Sequence, residues 1–379
     1  CFEICGNGRS DDYDNLSDCV DPACLCIACN GEQARIWYFG VHAGLDFSTD
    51  PPSVLTDGAT DSPGATGVMC DAGGNLLLYT DGETIFNRNH QPLPEGTGIA
   101  GVNTSLANML IPLSSSVFSL QHANTSTNFN PYYTEIDLGR DQGLGDVRIV
   151  NDQLQKNQIA DLTPVSDKVA ATRACTGIDS WWVLRKRRNV EQFFVFEINA
   201  ANNIATQSFS IDIGELDQNT FGNNVVAQMK FNHAGTLLAD ALPNSAGFDL
   251  FEFDPALGGM STFASIRQND LAGVYALEFS PNDRFLYVAT PTRLYQYDLQ
   301  AGSAQAIAQS RVLLANSATP RFGALQTGPN GKIYIATGAG APADALDVVF
   351  QPDQAGSACQ YQANAQPLGS GRVRYGLPC

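Results

Sequence analysis

The sequence predicts an all-β chain, a β-propeller of about seven four-stranded blades closed by its N- and C-terminal strands, behind a small disulfide-rich N-terminal segment. Three observations predict it. The composition is rich in chain-reversing residues, with 35 Gly and 19 Pro, and lacks long runs of Ala, Glu, Lys and Leu at helical period. A turn-strand-turn-strand phrase recurs about every fifty residues. The strands within it alternate apolar and polar side chains, as a ribbon with two different faces requires.

The phrase can be followed copy by copy. Cys70-Asp71-Ala72-Gly73-Gly74 leads into Asn75–Thr80, and Cys175-Thr176-Gly177-Ile178-Asp179 into Trp181–Leu184. Phe231-Asn232-His233-Ala234-Gly235 precedes Thr236–Ala239, Phe279-Ser280-Pro281-Asn282-Asp283 precedes Arg284–Ala289, and Thr327-Gly328-Pro329-Asn330-Gly331 precedes Lys332–Thr337. The intervals are 105, with room for a degenerate copy near Val117, then 56, 48 and 48. This gives six units from about residue 65 to about residue 370, with an incomplete unit ahead of them at Ile36–Phe39 and Leu45–Phe47. Ring closure by Arg372–Tyr375 would complete it and remove exposed strand edges. Two stacked β-sandwiches are the alternative, but they would not require so regular a period.

The division expected is a Cys-rich, Asp-rich segment over residues 1–32 and a propeller over 33–379. Six of the ten cysteines fall in the first 29 residues. Such crowding reads as a disulfide framework or a metal-thiolate cluster. No second CxxC and no His at zinc spacing accompanies it, so disulfides and an oxidising, extracellular address are favoured. The chain opens on Cys1 and shows no charged-then-apolar leader, so a signal peptide is expected to have been removed already, with a lipidated Cys1 as a lesser option. The balance of 21 Lys plus Arg against 39 Asp plus Glu, a net −18, argues against nucleic acid and anionic lipid as partners. No apolar run reaches the roughly 18 residues of a transmembrane segment.

The densest chemistry is Ser10–Asp21. Oxygen side chains fall at loop positions 1, 3, 5, 9 and 12, the spacing with which a tight loop surrounds calcium. Ser10, Asp12, Asp14, Asp18 and Asp21 would supply side-chain ligands and Leu16 its backbone carbonyl, holding a structural Ca2+. Ser at the first position and Asn15 at the usual glycine position depart from the pattern. The competing reading is a solvated acidic turn held by Cys5 and Cys19, yet five carboxylates so close together call for a positive partner.

Cys5-Gly6-Asn7-Gly8 through Asp18-Cys19-Val20-Asp21-Pro22 resembles the aspartate-rich segments of large secreted Bacteroidetes proteins. Trp37–Gly40, Ala43–Phe47, Tyr79–Gly82, Asn87–Gln91 and Tyr375–Pro378 are similar to the N-terminal propeller of gliding-motility-associated, type IX-secreted surface proteins. The resemblance covers nearly the whole chain. It implies a surface-displayed module of a longer polypeptide and supplies no catalytic residues.

Among the histidines, His233 sits in a blade turn and His90 reads as a structural hydrogen-bonding residue; neither belongs to a helical zinc motif. The basic run Arg185-Lys186-Arg187-Arg188 reads as a solvated hairpin tip. Trp181 and Trp182 face opposite sides of one strand, one in the core and the other open to solvent or packed between blades. The function expected is a non-catalytic extracellular or cell-surface structural or adhesion module. Its partners would be other surface proteins, further copies of itself or polysaccharide. The alternative is a carbohydrate-binding or carbohydrate-active propeller, with Asp46 and Asp81 as a conceivable acid and base if the fold brought them together.

Overall fold

The computed structural model describes residues 32–378 apart from 105, 115, 126–127, 160–164, 176–178, 189, 200–202 and 216–226. The chain is a seven-bladed β-propeller. The first sheet comprises Ile36–Phe39, Ala43–Asp46 and Ser53–Leu55, and the second Gly67–Cys70, Leu76–Thr80, Thr84–Asn87 and Pro92–Thr97. The third blade is built on Met109–Pro112, Ser116–Thr125 and Asn128–Asp137, with Asp146–Val147 and Lys156–Gln158 sharing its outer position. The fourth runs from Val165–Arg173 through Ser180–Arg187 and Gln192–Asn199 to Asn203–Asp212. Blades five, six and seven begin at Met229–Phe231, Ala276–Phe279 and Leu325–Thr327, and each is a four-stranded antiparallel sheet. Six units after an incomplete first one is the count that the repeat predicts.

The recurring turns join the first and second strands of their blades, and their fifth residue explains their composition. Gly74, Asp179, Gly235, Asp283 and Gly331 all adopt positive φ, between 57° and 80°. That conformation favours Gly and tolerates Asp, so the position is held by those two residue types. In two copies the side chain three places earlier caps the turn. Asp71 Oδ1 accepts from the amides of Gly73 and Asn75, and Asn232 Oδ1 accepts from those of Thr236 and Leu237.

Alternation then assigns each strand to two seams. Trp37 and Phe39 pack toward Tyr334 and Leu346 of the seventh blade, whereas Ile36 and Tyr38 pack toward Tyr79 and Phe86 of the second. Trp181 and Val183 face the third blade; Trp182 and Leu184 face the fifth. The described core is therefore seven apolar clusters, one per seam, and not one central mass. Both tryptophans are buried, with their indole N–H groups donating to Pro112 O and Pro255 O at 2.9 Å each, so of the two alternatives packing between blades is the one adopted.

The C-terminal segment closes the ring, although its form is a string of bridges and not a continuous fourth strand. Arg372 exchanges backbone hydrogen bonds with Val41 of the first blade, and Val373 does so with Ala343 of the seventh. Tyr375 O accepts from Ala324 N, and Tyr375 and Gly376 N–H groups donate to Pro63 O. The last and first blades are thus stitched together by backbone hydrogen bonds, with Val373 and Leu377 buried in the seam between them.

Candidate functional site

The first strands of successive blades stand side by side around a central channel. A cavity of about 880 Å3, including its open mouth, lies against the first strands of blades two to seven. The channel wall mixes small and apolar residues, Ala170, Ala171, Ala227 and Met229 among them, with the polar Asp167, Lys230, His233 and Glu278. Period two places these polar side chains inward because their neighbours, such as Leu277 and Phe279, are taken by the seams.

Nearly every charge on that wall is spent on the fold. Lys230 Nζ donates to Glu278 Oε2 at 2.5 Å, Leu325 O at 2.6 Å and Gln326 Oε1 at 2.7 Å, which uses all three of its protons. Glu278 also accepts from Thr327 N and Phe279 N, both at 3.1 Å. Asp167 accepts from Leu106 N through both oxygens. These bonds tie blade three to four and blades five, six and seven to one another.

Asp283 performs the same task between two repeated turns. Its carboxylate accepts from Asn232 Nδ2, His233 N and Ala234 N, and from the His233 ring at Nδ1, 3.0 Å away. Burial pushes the His233 pKa down, but the bond to Asp283 and the Glu278 charge outweigh it and hold it above its ordinary value. His233 is a turn residue, as its position in the repeat predicts, and in addition it faces the channel. Nothing in the sequence marks Asp283 as its partner except the repeat itself, which puts both in equivalent turns of adjacent blades.

The basic run corrects its expectation. Arg185 and Lys186 are fully buried in the fourth blade, since they continue the alternation of Trp181–Leu184 into the seams. Lys186 stacks on the Phe193 ring and lies 3.9 Å from Asp240, whose other oxygen takes a 2.8 Å bond from Lys168. Arg185 Nη2 reaches Gln121 O at 3.4 Å; burial lowers its pKa to about 10 against the opposing pull of Asp167.

Asp46 accepts from Ser48 N and pairs with Arg35, while Asp81 caps its own turn through Glu83 N and Thr84 N, so each carboxylate has local partners. His90 is structural, its Nδ1 at 3.0 Å from Tyr79 OH and its Nε2 at 3.5 Å from Asp57. Cys70 and Cys359 are buried free thiols, with burial raising Cys70 to about 11, so a disulfide framework cannot include all ten cysteines. Ser10, Asp12, Asp14, Leu16, Asp18 and Asp21 lie outside the described residues. Among the described residues no three His, Cys, Asp or Glu side chains gather as metal ligands, and no helix is long and apolar enough to cross a membrane.

Fold and channel together define the class: a seven-bladed propeller whose inner polar groups mostly lock blade to blade. No family model matches the chain, nor does any curated protein. Among solved structures it is similar to a Bacteroides uniformis protein assigned provisionally as a 6-phosphogluconolactonase, at 10% identity and a TM-score of 0.55, covering 91% of this chain and 98% of the other. A Bacteroides fragilis protein with the same provisional assignment gives 10% identity, a TM-score of 0.50, and coverage of 90% and 96%. At such identities the likeness shows the fold.

Proposed function

We propose that the chain is a non-catalytic structural or adhesion module of an extracellular or cell-surface protein, of the gliding-motility-associated, type IX-secreted kind that its motifs resemble. The observation that carries this reading is the channel, where Lys230, Glu278, Asp167 and Asp283 are consumed by bonds between blades. Groups so fully engaged rigidify a scaffold and are poorly placed for chemistry. The Ser10–Asp21 loop, binding calcium, would order the cysteine-rich segment before the propeller, and the acidic surface suits a displayed module that meets proteins, polysaccharide or its own copies.

The second reading is a carbohydrate-binding or carbohydrate-active propeller, favoured by the open channel and by the sugar-lactone chemistry provisionally assigned to the two Bacteroides proteins. Attachment separates the two. Beads carrying the purified oxidised chain are flowed over bare, polysaccharide-coated and chain-coated surfaces, with calcium or with chelator. Retention above albumin-coated beads, weakened by chelator, is expected. Turnover of a sugar lactone or glycoside without retention would overturn the module reading in favour of the second, and neither retention nor turnover would overturn both.

A further inference from the structure

His233 differs from the charged groups of the channel wall. Its Nδ1 is turned to Asp283, and its Nε2 has no hydrogen-bond partner among the described residues although the ring lines the cavity. Asp283 is itself fixed by three further donors, so the imidazole is held in one orientation before any ligand arrives. The Thr172 hydroxyl lines the same cavity and likewise makes no hydrogen bond to a described residue.

We propose that this part of the channel binds an uncharged, hydroxyl-rich small molecule, a monosaccharide being the simplest case, with His233 Nε2 and the Thr172 hydroxyl as its polar contacts. The inference goes beyond the surface-module reading and does not rest on it. Charge decides the ligand class. Lys230 has given all its protons to Glu278, Leu325 O and Gln326, so an anion would find no uncommitted ammonium there, and the Glu278 and Asp283 oxygens are likewise occupied by donors. A charged ligand would be desolvated without compensation. A hydroxyl both donates and accepts, so it can satisfy Nε2 whether or not that nitrogen carries a proton. Small residues of the same lining, Ala171 among them, offer the apolar surface that the C–H face of a sugar ring covers.

The test uses the full chain. Saturation-transfer NMR and calorimetry are run with D-glucose, D-xylose and N-acetyl-D-glucosamine, with 6-phosphogluconate and inorganic phosphate as charged probes. At least one neutral sugar is expected to bind. His233→Gln should weaken it about tenfold, the order set by one lost hydrogen bond in a partly buried site. Ala171→Leu, which fills the cavity without touching the Asp283–His233 pair, should weaken it at least as much. Thermal unfolding of both variants checks that they remain folded. Binding by none of the three sugars, sugar binding unchanged in both folded variants, or binding by the phosphate probes alone would each overturn the proposal. Bead retention by His233→Gln at the unmodified level would show that the module reading survives independently.

Discussion

The seam between blades five and six and the seam between blades four and five are built by the same alternation and filled with different chemistry. The first has an apolar layer in which Phe248, Leu250, Leu277, Leu286 and Tyr297 interdigitate, and its part-buried ion pair, Lys230 with Glu278, stands at the channel wall. The second has an apolar layer as well, around Trp182, Leu184 and Phe251, but it adjoins two fully buried lysines, Lys168 and Lys186, that share the equally buried Asp240. An apolar seam tolerates local repacking because its attraction is non-directional. A charged one depends on specific partners, because an ion left alone in a dry interior is far costlier than a lost methyl group.

Removing the shared carboxylate gives the largest expected effect. Asp240→Leu should cost about 3–5 kcal/mol, read as a shift in the denaturant midpoint. An unchanged midpoint would mean that the two lysines draw their compensation elsewhere and that the seams differ less than their contents suggest. In the apolar seam, Leu250→Ala should cost about 2–4 kcal/mol, with the exact loss set by how far Phe248 and Tyr297 relax into the cavity.

The Asp283 tether offers a finer comparison, because it joins repeated turns by hydrogen bonds alone. His233 has its pKa raised above 6.5 in the folded protein, so its contribution is fully present below that value and is lost as pH rises through the folded pKa. Stability should therefore fall with rising pH above about 6.5, and Asp283→Asn should flatten that slope. A slope unchanged in Asp283→Asn would assign it to another group. Smaller still is Gly331→Ala. The added methyl group meets nothing closer than Pro281 Cγ at 3.9 Å, so the cost is the backbone strain of positive φ alone, about 1 kcal/mol. At Gly235, where the same methyl would lie 2.2 Å from Thr172 Oγ1, the loss should be larger, which a pair of thermal melts would check.

The N-terminal loop supplies a prediction of a different kind. A calcium-dependent rise in the unfolding midpoint is expected for the oxidised chain, and Asp12→Ala with Asp14→Ala should remove it. A chain indifferent to calcium and chelator would leave the propeller as it is and return the loop to a solvated acidic turn.

Blade number and hairpin positions were legible because each repeat carries its own instructions: a turn residue able to take positive φ, then alternating side chains. Gly74, Asp179, Gly235, Asp283 and Gly331 occupy one position of the repeat and one backbone conformation. The burial of Arg185 and Lys186 was not legible. A basic run reads as solvated unless its counter-charge is visible, and Asp240 is 54 residues from Lys186 in the chain. His233 was legible as a turn residue but not as a channel residue, since Asp283 lies 50 residues further on.

By itself, then, the sequence determined the strands, their turns and their periodic return, because φ preference and side-chain alternation act over a few residues. Only the tertiary structure decided which blade faces which, which lysines are dry, and that one imidazole nitrogen is left open to the channel. Those outcomes depend on ring closure, which brings side chains a full repeat or more apart within hydrogen-bonding distance.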